Sequence, residues 1–342
     1  MMFDQFALHN SKTPKYKQLV REIERLVQGG KLKVGDRIPS INEVAETYLL
    51  SRDTVEKAYK QLKENNIINA VRGKGYYISN TNVESKLQVC LMFNKLSPYK
   101  KIIYDGLVSN LGDQVVVDLF IHHCNPDLFE NLIRKTNRLY SYYVIMPHLE
   151  GEEGRIIDLL MNIPEGKLIL LDKDITNIKH KNYGLVCQDF ERDLFEMINT
   201  LIDRIKSYNR IFLVFPTDTA YPYPQEIVRG FKRACGSNNL PFEVLNEIVD
   251  STQVKKGDLY IVISDMDLAN LIKQARTKKL IIGEELGILS YNDTPLKEVL
   301  AKGISVISTD FEHMAVKTSE MITENRLTKI RNPFRFIKRQ SF

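Results

Sequence analysis

The sequence has few of the features that would place it outside a cell or within a membrane. Cysteine occurs four times in 342 residues, at Cys90, Cys124, Cys187 and Cys235, far apart and mostly flanked by apolar or small residues. That spacing fits reduced, buried thiols and excludes a disulfide framework or a zinc site. No stretch approaches the roughly 20 uninterrupted apolar residues of a membrane span. Met1 to Lys15 lacks an apolar core followed by small residues, so no secretory signal is expected and the expected location is the cytoplasm. Enzyme signatures are equally scarce: GxxxxGK[ST], GxSxG and HExxH do not occur. His122-His123-Cys124 makes a poor metal set, because consecutive residues of a strand point to opposite faces. No catalytic residue, metal or cofactor is expected.

What is present is ordinary folded composition, 43% hydrophobic and 27% charged, and length for two or three domains. The charge is unevenly spread. Residues 1–80 hold 14 Lys/Arg and 9 Asp/Glu, a net +5, whereas residues 81–342 hold 34 of each. A small basic unit joined to a large neutral one suggests a polyanion partner for the first and an uncharged task for the second.

The basic unit has a readable order of elements. Thr13-Pro14 can open a helix, with Thr as cap and Pro at the first helical position. Leu19, Val20, Ile23, Leu26 and Val27 keep one apolar face until Gly29-Gly30 stops it. Ser40-Ile41-Asn42-Glu43 is a capping box that starts a short second helix. Ser51 can cap a third helix carrying Val55, Ala58, Tyr59 and Leu62 on one face. Two short helices across a tight turn form a helix-turn-helix. The β-prone runs 67–71 and 76–79, joined by Arg72-Gly73-Lys74-Gly75, form a hairpin with a basic tip. Arg52, at the start of the third helix, suits bidentate contact with guanine in a major groove, and Thr54 suits phosphate or a thymine methyl. The N-termini at Ser40 and Ser51 suit phosphates. Arg72 and Lys74 suit the adjacent minor groove or its backbone.

Residues 14–79 resemble the winged helix-turn-helix of the GntR class of bacterial transcription regulators. The resemblance is carried by Gly35-Asp36-Arg37-Ile38-Pro39-Ser40, Val44-Ala45, Ser51-Arg52-Asp53-Thr54-Val55 and Gly73-Lys74-Gly75-Tyr76-Tyr77-Ile78. It implies a DNA interface of Ser40, Asn42, Ser51, Arg52, Asp53, Thr54, Arg72, Gly73 and Lys74. Where that class often has arginine, this chain has Asn42 and Glu56. A carboxylate at position 56 could accept from a cytosine amine or be merely tolerated.

Residues 81–86 are polar and without periodicity, which reads as a linker. Beyond them, strands are expected at 87–94, 114–121, 142–146, 167–172, 210–215, 242–248, 258–264, 279–283, 287–291 and 304–308. Helical patterns fall between most of them. Near-continuous apolar strands such as Leu168-Ile169-Leu170-Leu171 belong in parallel sheets covered on both faces, and the βα alternation is long enough for two α/β lobes. Ligands of such sheets bind beyond strand C-termini. Those ends offer Asn94-Lys95, His122-His123, His148, Asp172-Lys173-Asp174, Ser264-Asp265, Asn292-Asp293 and Thr309-Asp310, with Tyr99 and Tyr221 as aromatic cover. Asp265 and Asp310 are also placed to cap helices. The set suits a polyhydroxylated ligand.

Residues 87–342 resemble the periplasmic-binding-protein-type sugar sensor of LacI-class repressors. Gly287-Ile288-Leu289-Ser290-Tyr291-Asn292-Asp293-Thr294-Pro295-Leu296, running on through Ile304 to Met314, carries the resemblance best. It implies a chain that crosses between lobes three times, near 184–190, 284–294 and 308–311. The first lobe would then hold about 87–185 and 294–325, and the second about 188–292. By the same resemblance Asn292 stands where the class has a sugar-binding aspartate. Lys173 falls near a common arginine, Ser264-Asp265 near an Asn-Asp pair, and Thr309 near a glutamine. Gln225 lies in the region of a ligand-gripping arginine. The implied ligand site is Asn94, Tyr99, His148, Lys173, Gln225, Ser264, Asp265, Asn292 and Thr309.

The expected architecture is thus an N-terminal winged helix-turn-helix (α+β) with a C-terminal two-lobed α/β periplasmic-binding-protein-like domain. The expected function is a transcription regulator, a repressor, binding double-stranded operator DNA as a homodimer. A monosaccharide such as fucose or arabinose would control it. Dimerisation follows from the need to meet two half-sites one helical turn apart. A transport binding protein would lack the helix-turn-helix, and a fused aminotransferase needs more chain than residues 87–342 supply. A DNA-bending protein without effector would not need the large neutral domain. A constitutive, architectural DNA-binding protein with no effector and a regulator that senses a non-sugar metabolite are the remaining alternatives.

Overall fold

The computed structural model describes residues 14–80, 87–136, 139–151, 153–217, 219 and 223–342. Thr13, the expected linker 81–86 and Tyr221 lie outside the described residues. The chain divides into two compact units between Leu87 and Gln88.

In the first unit, α1 (Lys15–Gln28) is followed by β1 (Arg37–Ile38), α2 (Ile41–Thr47), α3 (Arg52–Glu64), β2 (Ile68–Val71) and β3 (Gly75–Ile78). Pro14 occupies the N-cap of α1 rather than its first turn. The α1 residues Leu19, Ile23 and Leu26 pack on Val55, Ala58, Tyr59 and Leu62 of α3, in one small core closed by Ile38, Ile68 and Ile78. The Tyr59 hydroxyl donates to the Pro39 carbonyl, and its ring meets Tyr76 edge-on at 4.7 Å. This fixes α3 against the hairpin. β1, β3 and β2 form an antiparallel sheet.

The second unit holds two six-stranded sheets among the described residues. The first lobe comprises β4 (Leu87–Phe93), α4 (Pro98–Leu111), β5 (Val115–Ile121), α5 (Pro126–Thr136), β6 (Tyr142–Ile145), α6 (Glu153–Met161), β7 (Leu168–Asp172) and β8 (Gly184–Cys187). The second begins with α7 (Phe190–Thr200), α8 (Ile202–Ile205), β9 (Arg210–Val214), α9 (Glu226–Ser237) and β10 (Phe242–Leu245). It continues through β11 (Asp258–Val262), α10 (Asp265–Thr277), β12 (Gly287–Tyr291), α11 (Pro295–Val299) and β13 (Ser305–Thr309). Then α12 (Phe311–Thr323) packs on α4 in the first lobe, β14 (Lys329–Arg331) joins β8, and β15 (Phe334–Ile337) returns to β13. Both sheets bury near-continuous apolar strands under helices, as parallel sheets require. β15 is antiparallel to β13.

The crossings therefore lie at 188–189, 310 and 332–333, and the expected crossing near 284–294 is corrected. Residues 294–310 belong to the second lobe, because β13 pairs in parallel with β12 from Leu289↔Ser305 onward. Residues 326–331 join the first lobe, and 334–342 rejoin the second. β14 and β15 escaped notice because their sequences, Lys-Ile-Arg and Phe-Arg-Phe-Ile, interleave cations with apolar residues. That pattern guards sheet edges rather than cores. β8 was missed because its apolar run is only three residues long. The expected strand at 279–283 is a turn instead: Lys279 and Gly283 both have positive φ, and the Glu285 carboxylate accepts from the Ile281 amide.

Close helix packing depends on glycine where α9 crosses α7, as it does at Gly106 of α4 against Ala315 of α12. A Cβ on Gly230 of α9 would lie 2.2 Å from the Glu191 carbonyl of α7, whereas one on Gly236 would meet nothing within 4 Å. Gly230→Ala should part these helices and cost about 1–3 kcal/mol. Gly236→Ala should be neutral or gain about 0.5–1 kcal/mol from helix propensity. Urea unfolding of both variants checks the contrast, and equal midpoints would contradict it.

Candidate DNA-reading unit and ligand cleft

On the first unit, the two predicted caps form as read. Ser40 Oγ accepts from the Glu43 amide at 3.3 Å while the Glu43 carboxylate accepts from the Ser40 amide at 2.6 Å. Ser51 Oγ accepts from the Thr54 amide at 3.3 Å and lies 2.7 Å from Thr54 Oγ1. These hydroxyls are thus partly spent on holding helix starts, and what they leave outward is the positive end of each helix. Asn42, Arg52, Asp53, Arg72, Gly73 and Lys74 are exposed, and Thr54 is half-buried. Gly73 turns the hairpin tip with φ +74°, closed by the Lys74 amide on the Val71 carbonyl at 2.9 Å. Arg52 Nε donates to Glu56 Oε1 at 3.1 Å.

In the second unit a cleft of about 720 Å³ of empty space, its open mouth included, is lined from both lobes. Four of the nine expected ligand residues line it: Asn94, Tyr99, His148 and Asn292. The other five are not lining residues, although the Asp265 charge acts on Tyr99 and Tyr223 of the wall. Ser264 is the N-cap of α10, accepting from the Met266 and Asp267 amides. Asp265 is a helical residue rather than the cap, and it pairs with the buried Lys297 at 3.1 Å. Thr309 is held at the second crossing, accepting from Asn332 Nδ2 at 2.9 Å. Gln225 is exposed at the start of α9. Lys173 follows the lining residue Asp172, and its charge acts instead on Glu226 at the start of α9. Asp310 caps α12 through the His313 amide.

Asp172 is the electrostatic centre of the first-lobe wall. His148 Nε2 lies 2.7 Å from Asp172 Oδ2, and since a carboxylate only accepts, the ring nitrogen donates. The Gln188 side-chain amide donates to Asp172 Oδ1. Burial alone would raise this carboxyl, but His148, the Lys100 charge and the Gln188 bond outweigh it and hold it below the usual aspartate value. Lys100 is itself buried. Burial brings its amine down to about 8 despite the attraction of Asp172, and its ammonium donates to Asn94 Oδ1. Aromatic cover comes from Tyr99 stacked on Phe311, with centroids 5.3 Å apart. Phe190 lies edge-on to His148, and Tyr223 lies under the Lys95 amine at 5.1 Å.

The second-lobe wall is set by Lys297. Its ammonium, 1% exposed, donates to the Tyr291 carbonyl at 3.0 Å and the Asn292 carbonyl at 2.8 Å. That bracing holds Asn292 at φ +61°, so β12 ends with Asn292 in the cleft wall. Three buried atoms of the wall, Gln188 Oε1, Tyr291 Oη and Asn292 Oδ1, have no hydrogen-bond partner among the described residues. Sequence reading missed Gln188 along with β8, the strand it follows. It missed Lys100 and Lys297 because a lysine on a helix carries no mark of burial.

His122, at the end of β5, ties that strand to Met146 of the cleft wall, its Nε2 lying 3.0 Å from the Met146 carbonyl. Burial pushes the ring down to about 4 from the ordinary 6.5, against the opposing pull of that hydrogen bond. Between these values the unfolded chain binds a proton that the folded chain refuses. Stability should therefore fall as pH drops from 6.5 towards 4. A His122→Asn variant, compared with wild type by urea unfolding across this range, should show a shallower fall. Parallel curves would contradict the assignment.

The model for "Bacterial regulatory proteins, gntR family" matches residues 15–78, and that for "Periplasmic binding protein-like domain" matches 204–342. The HTH-type transcriptional repressor YtrA of Bacillus subtilis is 41% identical over 81 residues. The match takes in 22% of this chain and 62% of YtrA, less than two thirds of its length. The arabinose metabolism transcriptional repressor of Geobacillus stearothermophilus is 35% identical over 343 residues, with 91% of each chain covered. Among solved structures, a LacI family transcriptional regulator from Lactobacillus casei with bound glucose superposes with a TM-score of 0.60 at 12% identity. It covers 75% of this chain and 99% of that one, a likeness of fold. No helix among the described residues is long and apolar enough to cross a membrane. With a relative matched along nearly its whole length and both domain models in chain order, this chain belongs to the gntR family of bacterial regulatory proteins, in the form that carries a periplasmic-binding-protein-like domain.

Proposed function

We propose that the protein is a cytoplasmic transcriptional repressor, acting as a homodimer on double-stranded operator DNA, and that a monosaccharide held between the two lobes sets its operator affinity. The observation that carries the ligand reading is the trio of unpartnered wall atoms, Gln188 Oε1, Tyr291 Oη and Asn292 Oδ1. A buried polar atom left unpaired costs about 1–3 kcal/mol, so three on residues that line one cleft favour a ligand rich in hydroxyls. The rings of Tyr99, Phe190 and Phe311 favour one that also has an apolar face. Similarity to an arabinose metabolism repressor supports a sugar, and arabinose, fucose and glucose are the first to try. The cleft wall assigned to this task is Asn94, Tyr99, His148, Gln188, Tyr291 and Asn292.

Thermal shift against a monosaccharide panel tests the reading, since a ligand bound to the native state raises its melting temperature. At least one sugar should stabilise the wild type. Asn292→Ala and Gln188→Ala should each bind that sugar at least tenfold more weakly, with the sugar-free fold retained. A panel in which no sugar shifts the midpoint would overturn the reading.

For DNA, Arg52→Ala should lose about 1–3 kcal/mol of specific binding and relax preference at one base position. Arg72→Ala or Lys74→Ala should weaken all sequences alike and flatten the salt dependence by about one unit per lost phosphate contact. Fluorescence anisotropy over a salt series separates the two. A wing variant that loses discrimination while keeping its salt slope would assign base reading to the wing.

A further inference from the structure

We infer that Arg52 and Glu56 work as one unit that reads a guanine and a nearby cytosine, with Glu56 setting the second position. The inference rests on the proposed DNA-binding role and adds to it a residue that determines specificity.

The two side chains are joined by Arg52 Nε on Glu56 Oε1 at 3.1 Å and remain 68% and 49% exposed. Among the described residues this single bond leaves both terminal nitrogens of Arg52 free, the fork that matches guanine O6 and N7. It also leaves Glu56 Oε2 free to accept, and the base edge that offers a lone donor in the major groove is cytosine N4. Residues four apart on a helix are separated by about 6 Å of rise, against about 3.4 Å per base pair. The two contacts therefore fall within one or two base pairs of each other.

As an exposed i,i+4 pair with the cation on the N-terminal side, Arg52 and Glu56 add little to helix stability. Arg52 is the first residue of α3, where the helix dipole disfavours a cation, and Asp53 already supplies the acid that this end favours. Glu56 lies off the buried face formed by Val55, Ala58, Tyr59 and Leu62, so packing does not require it either. A free carboxylate near a DNA backbone would be repelled. Bonding to Arg52 offsets that charge and restrains the arginine, which reduces the side-chain entropy lost on binding.

The test is selection of bound duplexes from a random library by the full chain, with Glu56→Gln, Glu56→Ala and Arg52→Ala in parallel. Anisotropy on the enriched duplex and its single-base-pair variants follows. The wild-type motif should contain a guanine and, within two base pairs, a cytosine whose replacement by thymine costs tenfold or more. Glu56→Gln should change the second preference to adenine, since an amide matches adenine N6 and N7. Glu56→Ala should leave that position selective by less than twofold and weaken the guanine preference several-fold. Unchanged motifs in both Glu56 variants, or uniformly tighter binding to every sequence by Glu56→Ala, would overturn the inference and leave the DNA-binding role standing. A wild-type selection that enriches nothing would overturn that role itself.

Discussion

Asn332 sits at the third passage of the chain between the lobes and bonds to the other two. Its backbone amide donates to the Cys187 carbonyl at 2.7 Å. Its side-chain amide donates to Thr309 Oγ1 at 2.9 Å and to the Asp310 carbonyl at 2.8 Å. Its side-chain oxygen meets His313 Nδ1 at 2.8 Å. The residue is 1% exposed, so these bonds are shielded from water and strong. Beside it, Arg331 binds Asp193 at 2.6 Å and Glu196 at 2.9 Å, clamping the end of β14 to α7 of the other lobe. Three crossings gathered at one point leave the lobes a common axis to turn about. Everything lining the cleft is positioned relative to that axis.

Around that axis the cleft holds polar groups in two conditions. Asp172, His148 and the Gln188 amide nitrogen satisfy one another, and the Lys100 ammonium reaches Asn94. Gln188 Oε1, Tyr291 Oη and Asn292 Oδ1 are left over, on both sides of the opening. The satisfied set fixes the wall, and the unsatisfied set gives a ligand hydrogen bonds to gain. A ligand touching both lobes then favours one lobe arrangement over another, and only such a difference can shift an equilibrium.

Much of this was legible in the sequence where the signal is local. Capping serines at 40 and 51, glycine at the hairpin tip and the apolar face of α3 each follow from a few adjacent residues. So do the strand-end positions of Asn94, His148 and Asn292. What escaped depends on distant chain. Whether Thr309 faces the cleft or the crossing is decided by Asn332, 23 residues later. Asp265 is drawn off by Lys297, which no periodicity marks as buried. Lys173 and Asp172 are neighbours, and only Asp172, whose backbone is left-handed, is a lining residue of the wall. β14 and β15 are strands because the sheets they edge accept them, not because Lys-Ile-Arg or Phe-Arg-Phe-Ile looks like a core strand.

The proposed function requires that one molecule couple a sugar site to a DNA site. Coupling free energy is reciprocal, so the factor by which sugar alters operator affinity must equal the factor by which operator alters sugar affinity. The most direct measurement is a calorimetric titration of the stabilising sugar into the full chain, free and bound to its selected duplex. The account predicts that the two sugar affinities differ by roughly 5- to 150-fold, matching the shift in duplex affinity when sugar is added. Identical sugar affinities in the two titrations would contradict it.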